Sequence, residues 1–141
     1  MPRILGLDYG TVRVGVALSD PLGLTAQPQE TLIPRSKSDL LQKLYDLIKQ
    51  HEVTSIVLGL PLNMDGSKGP KALEAEEFAQ VLRQRFGLPV HLWDERLTTR
   101  QAQSTMRETN TRTRGNKSKL DSLSAVFLLQ SWLDHERAHG Q

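Results

Sequence analysis

The sequence predicts an α/β fold, a five-stranded mixed sheet with helices on both faces. Three observations carry the prediction. The chain opens with two apolar runs, RILGLDYG and VRVGVALSD, and the short DYGT link between them marks an antiparallel hairpin. Beyond residue 35 the pattern alternates helix, strand, helix, strand, helix, so three antiparallel-type strands precede an α-β-α-β-α series. Within that series TSIVLGLPL is apolar without a break, as a strand covered on both faces must be.

The remaining elements follow from local signals. LTAQPQETLIP carries Pro28 and Pro34, and proline cannot donate to a ladder, so this third strand belongs at a sheet edge. Ser36 to Asp39 fits a Ser-x-x-Asp helix start, and Leu40, Leu41, Leu44, Leu47 and Ile48 share one face of the helix that follows. After the fourth strand, NMDGSKGP is a polar loop. A second helix is expected from about Lys71 to Phe86, with Ala75, Phe78, Val81, Leu82 and Phe86 inward and Gly87 as its stop. LPVHLWDE reads as the fifth strand. A shorter helix from Thr98 or Thr99, the loop TNTRTRGNK and a last helix over about Lys119 to Glu136 complete the chain.

Bulk properties narrow the function classes. A chain of 141 residues closes one core, so residues 1–141 are expected to form a single domain. With no cysteine, disulfide frameworks, thiolate nucleophiles and Cys-based zinc sites are excluded. MPRILG does not read as a signal peptide, and apolar stretches such as AVFLL at 125–129 are far short of a membrane span. The expected address is the cytoplasm. The net charge is +2, but Arg96 to Lys119 carries +6, leaving −4 on the rest. Such a segment is either a solvated helix face and loop or a phosphate-tracking surface, and charge alone does not choose.

Three acids sit at element ends. Asp8 closes the first strand, Glu95 follows Asp94 at the end of the fifth, and Asp121 lies in the first turn of the last helix. Strand ends in α/β sheets share an edge where ligands collect. Carboxylates gathered there repel, and a hard divalent cation relieves the repulsion. Two such ions about 3.5–4 Å apart cleave phosphodiesters by activating water and stabilising the leaving oxygen. Each acid also has a plain explanation: Asp8 as a turn former before Gly10, Asp94-Glu95-Arg96 as a strand-end ion pair, and Ser118-Lys119-Leu120-Asp121 as a capping box.

With these residues in view, the sequence resembles the YqgF proteins, also called RuvX, of the RNase H-like superfamily. GLDYGTVRVGVALSD, GLPLNMDGS, WDERLTT and KSKLDSLSAVFLLQSWL are similar to the family's successive motifs, at matching spacing over nearly the whole chain. The resemblance implies an RNase H-like fold and a divalent-metal nuclease using Mg²⁺ or Mn²⁺. Its substrate would be structured nucleic acid: the 5′ end of pre-16S ribosomal RNA, or a Holliday junction cut by a homodimer. It makes Asp8, Glu95 and Asp121 the metal-binding, catalytic triad. RuvC-type resolvases end instead with two aspartates spaced by three, whereas here Ser124 follows Asp121 at that distance. Alternation along the strand turns Asp94 away from Glu95, so Asp94 is a poor substitute for the missing acid.

Nucleic-acid contacts are expected from Thr11, Arg96, Arg112, Arg114, Lys117 and Lys119, with Arg96 either clamping a phosphate or pairing with Asp94. Three rival readings stand beside the nuclease. DYGT also resembles the phosphate loop of actin-like ATPases, which close nucleotide between two domains. HERAH at 135–139 matches the His-Glu-x-x-His pattern of zinc proteases, but only two residues follow it in this sequence. The third is a nucleic-acid-binding module that does not cut.

Overall fold

The computed structural model describes residues 3–98 and 117–139, with side chains through Leu97 and from Ser122 onward. Strands β1 (Arg3–Tyr9), β2 (Val14–Ser19), β3 (Ala26–Pro28), β4 (Val53–Leu60) and β5 (Val90–Asp94) form one sheet in the order β3-β2-β1-β4-β5. β2 is antiparallel to β1 and β3, whereas β4 is parallel to β1 and β5. The sheet is therefore mixed, as expected, and the proline-bearing strand occupies an edge. That strand is shorter than the sequence suggested. It ends at Pro28, and Leu32 bridges back to Val14.

Helices α1 (Lys37–His51) and α2 (Pro70–Phe86) cover one face. Alternation sends Leu5 and Leu7, Val14, Val16 and Leu18, and Ile56 and Leu58 to that side, where they meet Leu40, Leu44, Phe78 and Leu82. Helix α3 (Lys117–His139) covers the other face, where Ala17 and Val57 pack against Ala125, Leu128, Leu129 and Leu133. β1 carries Gly6 beneath this helix, and a Cβ there would come within 2.8 Å of the Leu129 Cβ. Removing the side chain is what lets α3 settle directly on the central strand.

The helix ends follow local chemistry. The Ser36 hydroxyl accepts from the Asp39 amide at 3.1 Å, and the Asp39 carboxylate accepts from the Arg35 amide at 2.9 Å. Gly87 ends α2 in the left-handed conformation, at φ 66°. α2 starts at Pro70, one residue before the expected Lys71, because proline suits the first helical position.

Two expectations at the other end of the chain change, and a third is not reached. β5 stops at Asp94, and Glu95 opens a 3₁₀ turn (Glu95–Thr98), so Glu95 is a turn residue rather than the last strand residue. α3 begins by Lys117, which puts Ser118 inside the helix and removes it as an N-cap. The expected short helix beyond Thr98 and most of the loop TNTRTRGNK lie outside the described residues. Among the described residues no helix is long and apolar enough to cross a membrane.

Candidate active site

A cleft of about 600 Å³ opens at the carboxyl end of β1 and β4. Its walls include Asp8, Gly10, Thr11, Pro61, Lys71 and Glu95. Asp8 reaches it because β1 alternates: Leu7 and Tyr9 face α1 and α2, so Asp8 faces the α3 side with Gly6. Glu95 arrives from two strands away. The register pairs Leu7 with Leu58 and Gly59 with Trp93, which sets Gly59 between the end of β1 and the end of β5. The Glu95 side chain lies over Gly59, where an added Cβ would come within 2.7 Å of Glu95 Oε2.

The electrostatics follow from that placement. Burial, then the negative charges of Asp8 and Asp94, push the Glu95 carboxyl from 4.5 to about 7, and the nearby Lys71 ammonium opposes the rise. Asp94 behaves in the opposite way. Arg96 donates to it through Nε at 3.1 Å, Nη2 at 2.8 Å and its own backbone amide at 2.9 Å, holding its carboxyl below the usual range. Two adjacent acids thus have different tasks: one is held as an ion by a guanidinium, the other crowded against Asp8.

Arg96 lies on Asp94, the ion-pair alternative of the sequence reading, and its Nη1 also donates to the Met64 carbonyl at 3.2 Å. Asn63, Asp65 and Ser67 bond within their own loop: the Asn63 amide nitrogen donates to Ser67 Oγ at 2.9 Å, and the Ser67 amide to Asp65 at 2.9 Å.

Asp121 lies in the opening turns of α3, and its side chain is outside the described residues. The next residue fixes where the helix starts. The Ser122 hydroxyl donates to the Gln29 carbonyl at 2.9 Å and shares a hydrogen bond with Thr31 Oγ1 at 2.8 Å. Gln29 is bonded to Val16, and β2 there runs beside Asp8, which pairs with Gly15. Ser122 therefore anchors α3 to the segment paired with β2, the strand beside Asp8. Arg112 and Arg114 lie outside the described residues, and Lys117 and Lys119 are described by their helical backbone alone.

Some cleft residues were not singled out in the sequence. Lys37 and Lys71 stand in the first turns of α1 and α2, and Glu74 and Glu77 follow on α2. Lys37 Nζ lies 5.7 Å from the Tyr9 ring centroid and 5.3 Å from that of Phe78, and it donates to Tyr9 Oη at 3.3 Å. A signal was present. Lysine at a helix start opposes the macrodipole, which favours acids there.

The donor set suits a hard divalent cation, since carboxylate oxygens meet in one cleft, where burial and then the charge of Asp8 already raise the Glu95 pKa. Among the described residues no three acids or histidines cluster tightly enough to hold an ion, and the Asp121 side chain is not among them. The His-Glu-x-x-His segment forms no such cluster either: His135 and His139 stack on each other at 4.2 Å, and His135 tilts against Trp93 at 4.9 Å. A second cleft, about 670 Å³, opens at the opposite sheet edge among Tyr45, Lys49 and Phe86, with Glu52 as its one acid.

Residues 2–135 match the RuvX family, described as Holliday junction resolvase. The chain belongs to the RuvX family. A protein of Lachnospira eligens named "Putative pre-16S rRNA nuclease" is 48% identical over 139 residues, covering 96% of this chain and 99% of that one. A protein of Myxococcus xanthus with the same name is 47% identical over 135 residues, covering 96% and 89%. The fold of this RuvX chain is similar to that of Thermus thermophilus RuvC bound to a Holliday junction substrate, with a TM-score of 0.65 at 10% identity over 99% and 98% of the two chains. The Fowlpox virus resolvase, in complex with junction DNA, gives 0.58 at 10% identity over 94% and 97%. Those likenesses establish the RNase H-like fold.

Proposed function

We propose that this chain is a divalent-metal-dependent endonuclease that hydrolyses phosphodiester bonds of structured nucleic acid, acting at the 5′ end of pre-16S ribosomal RNA. The observation that carries the reading is the meeting of Asp8 and Glu95 in one cleft, with Glu95 laid over the bare backbone of Gly59, in a chain of this family. Relatives covering nearly its whole length are named for that RNA substrate.

Asp8, Glu95 and Asp121 would hold the cation, Mg²⁺ or Mn²⁺. Bound there, such an ion supplies Lewis acidity, polarising a phosphoryl oxygen and lowering the pKa of water. The protein's own groups do the rest. Glu95, whose carboxyl burial and then Asp8 push up to about 7, would be held as a carboxylate where a cation is bound. Lys71 offsets negative charge beside Glu95, and Thr11 offers a hydroxyl at the cleft wall. Lys117, Lys119, Arg112 and Arg114 would track the flanking phosphates as positive charge. Arg96, next to Glu95 in the chain, contributes by holding both Asp94 and the loop after β4.

The experiment incubates the purified protein and Mg²⁺ or Mn²⁺ with a pre-16S precursor fragment and with a four-way DNA junction. Cutting of the RNA that stops with chelator supports the reading. Binding of either substrate without cutting would transfer the chain to the non-cleaving class. A second reading, junction resolution, is favoured by the family description and requires two symmetric cuts and hence a homodimer. It predicts cutting of the junction in preference to the RNA. A role in ribosomal RNA maturation would place the protein in the cytoplasm.

A further inference from the structure

Segments that line the cleft also carry exposed apolar side chains. Four of the large hydrophobic side chains that stand in solvent lie on the segments around it: Val12 at 61% exposed, Met64 at 89%, Leu73 at 55% and Leu97 at 59%. Val12 follows Thr11, Leu73 lies between Lys71 and Glu74, and Leu97 follows Arg96. Scattered apolar residues need no explanation, so the one whose backbone is held most firmly is the one that bears on binding. Phosphates gain nothing from apolar neighbours, whereas nucleobases offer faces that do.

Met64 is the most exposed of the four, and its mount is unusually firm. Asn63 to Gly66 form a β-turn closed by the Gly66 amide donating to the Asn63 carbonyl at 2.9 Å, with Gly66 at φ 89°. The Asn63 amide donates to the Ser67 carbonyl at 2.9 Å, and Ser67 Oγ donates to Asp65 at 2.6 Å. Arg96 ties the turn to the strand end through the Met64 carbonyl while its other nitrogens hold Asp94. The loop spends its polar groups fixing its own backbone and presents one apolar side chain outward. A thioether on a rigid turn that Arg96 ties to Asp94, the neighbour of Glu95, is suited to pack on a flat, apolar face.

We propose that Met64 is a base-contacting residue, packing on a nucleobase unstacked from its neighbours next to the phosphate held in the cleft. The proposal rests on the nuclease reading for its substrate class and adds that this site engages a base as well as the backbone. Unpaired bases are recognised through such stacking contacts. Arg96 then acts as a positioning residue for the turn, and the basic segment carries the phosphate attraction separately.

The test measures binding rather than cutting. Asp8→Asn protein, with Met64 intact or as Met64→Ala or Met64→Leu, is titrated in Mg²⁺ with a labelled pre-16S 5′ precursor fragment and with versions carrying single abasic nucleotides. The expected result is that Met64→Ala binds the intact fragment about fivefold or more weakly, the lower end of what stacking contacts contribute. Met64→Leu should bind as Met64 does. At one abasic position the Met64 and Met64→Ala proteins should bind alike, because no base is left there to pack against. Equal binding of the intact fragment by both, or a deficit that persists at every abasic position, would overturn the proposal. The nuclease reading is judged apart, by cutting with the unsubstituted protein; binding without cutting removes that reading and leaves the Met64 comparison intact.

Discussion

The Glu95 carboxylate occupies the volume that a side chain on Gly59 would fill, with Oε2 2.7 Å from where that Cβ would stand. One missing methyl group on β4 thus decides where an acid from the end of β5 can go. Gly59→Ala should leave the fold in place, because the atom it meets is the far end of a movable side chain. The carboxylate must shift, and an error of about 1 Å in such a group costs on the order of 100-fold in rate. Cleavage assays beside thermal melts check this; a variant that cuts normally would mean that Glu95 does not work from this position.

Gly6→Ala should behave in the reverse manner. Its Cβ would meet the Cβ of Leu129 at 2.8 Å, an atom fixed to the backbone of α3, so helix and strand must part. Overpacking of this kind costs about 1–3 kcal/mol. Urea denaturation should show a lower midpoint with an unchanged slope.

Metal-free protein should show a carboxyl group titrating near 7, assigned to Glu95 by carbon NMR. A folded-state pKa raised from 4.5 means that the folded protein holds this proton more tightly than the unfolded chain. The associated stability is fully present below about 4.5 and is lost as pH rises through about 7. Asp8→Asn should lower the value without restoring 4.5, since burial is the larger cause. A divalent cation should raise the melting temperature more at pH 8 than at pH 5, because protons compete for the carboxylate at the lower pH. Equal stabilisation at both would separate the cation from Glu95.

Replacing Arg112, Arg114, Lys117 and Lys119 by alanine should weaken nucleic-acid binding and flatten its salt dependence. For every phosphate no longer neutralised, the slope of log K against log salt should fall by about 0.7–0.9. An unchanged slope would return the segment to a solvated surface.

What could be read in advance was local. The Ser36 cap, the Gly87 stop and the edge strand at Pro28 each depend on a few neighbouring residues, and the structure has them where the sequence put them. Glu95 was legible as an acid at a strand end, although it belongs to the turn beyond β5. The partners that shape its chemistry were not. Gly59 looks like any small residue in a buried strand, and its task appears only when the register sets it beside Trp93 and the end of β1. Lys37, Lys71 and Glu74 line one cleft because α1 and α2 bring their N-terminal parts to it, which depends on topology. Arg96 had two readings in the sequence, and in the structure its guanidinium lies 2.8 Å from Asp94.

The central claim is that Asp8, Glu95 and Asp121 share one divalent-cation site. Its most direct measurement is a calorimetric titration of the intact protein with Mn²⁺, repeated for Asp8→Asn, Glu95→Gln and Asp121→Asn. Saturable binding that each single substitution weakens at least tenfold, with the melting curve of the metal-free protein retained, is the predicted result. Unweakened Mn²⁺ binding by all three variants would contradict it.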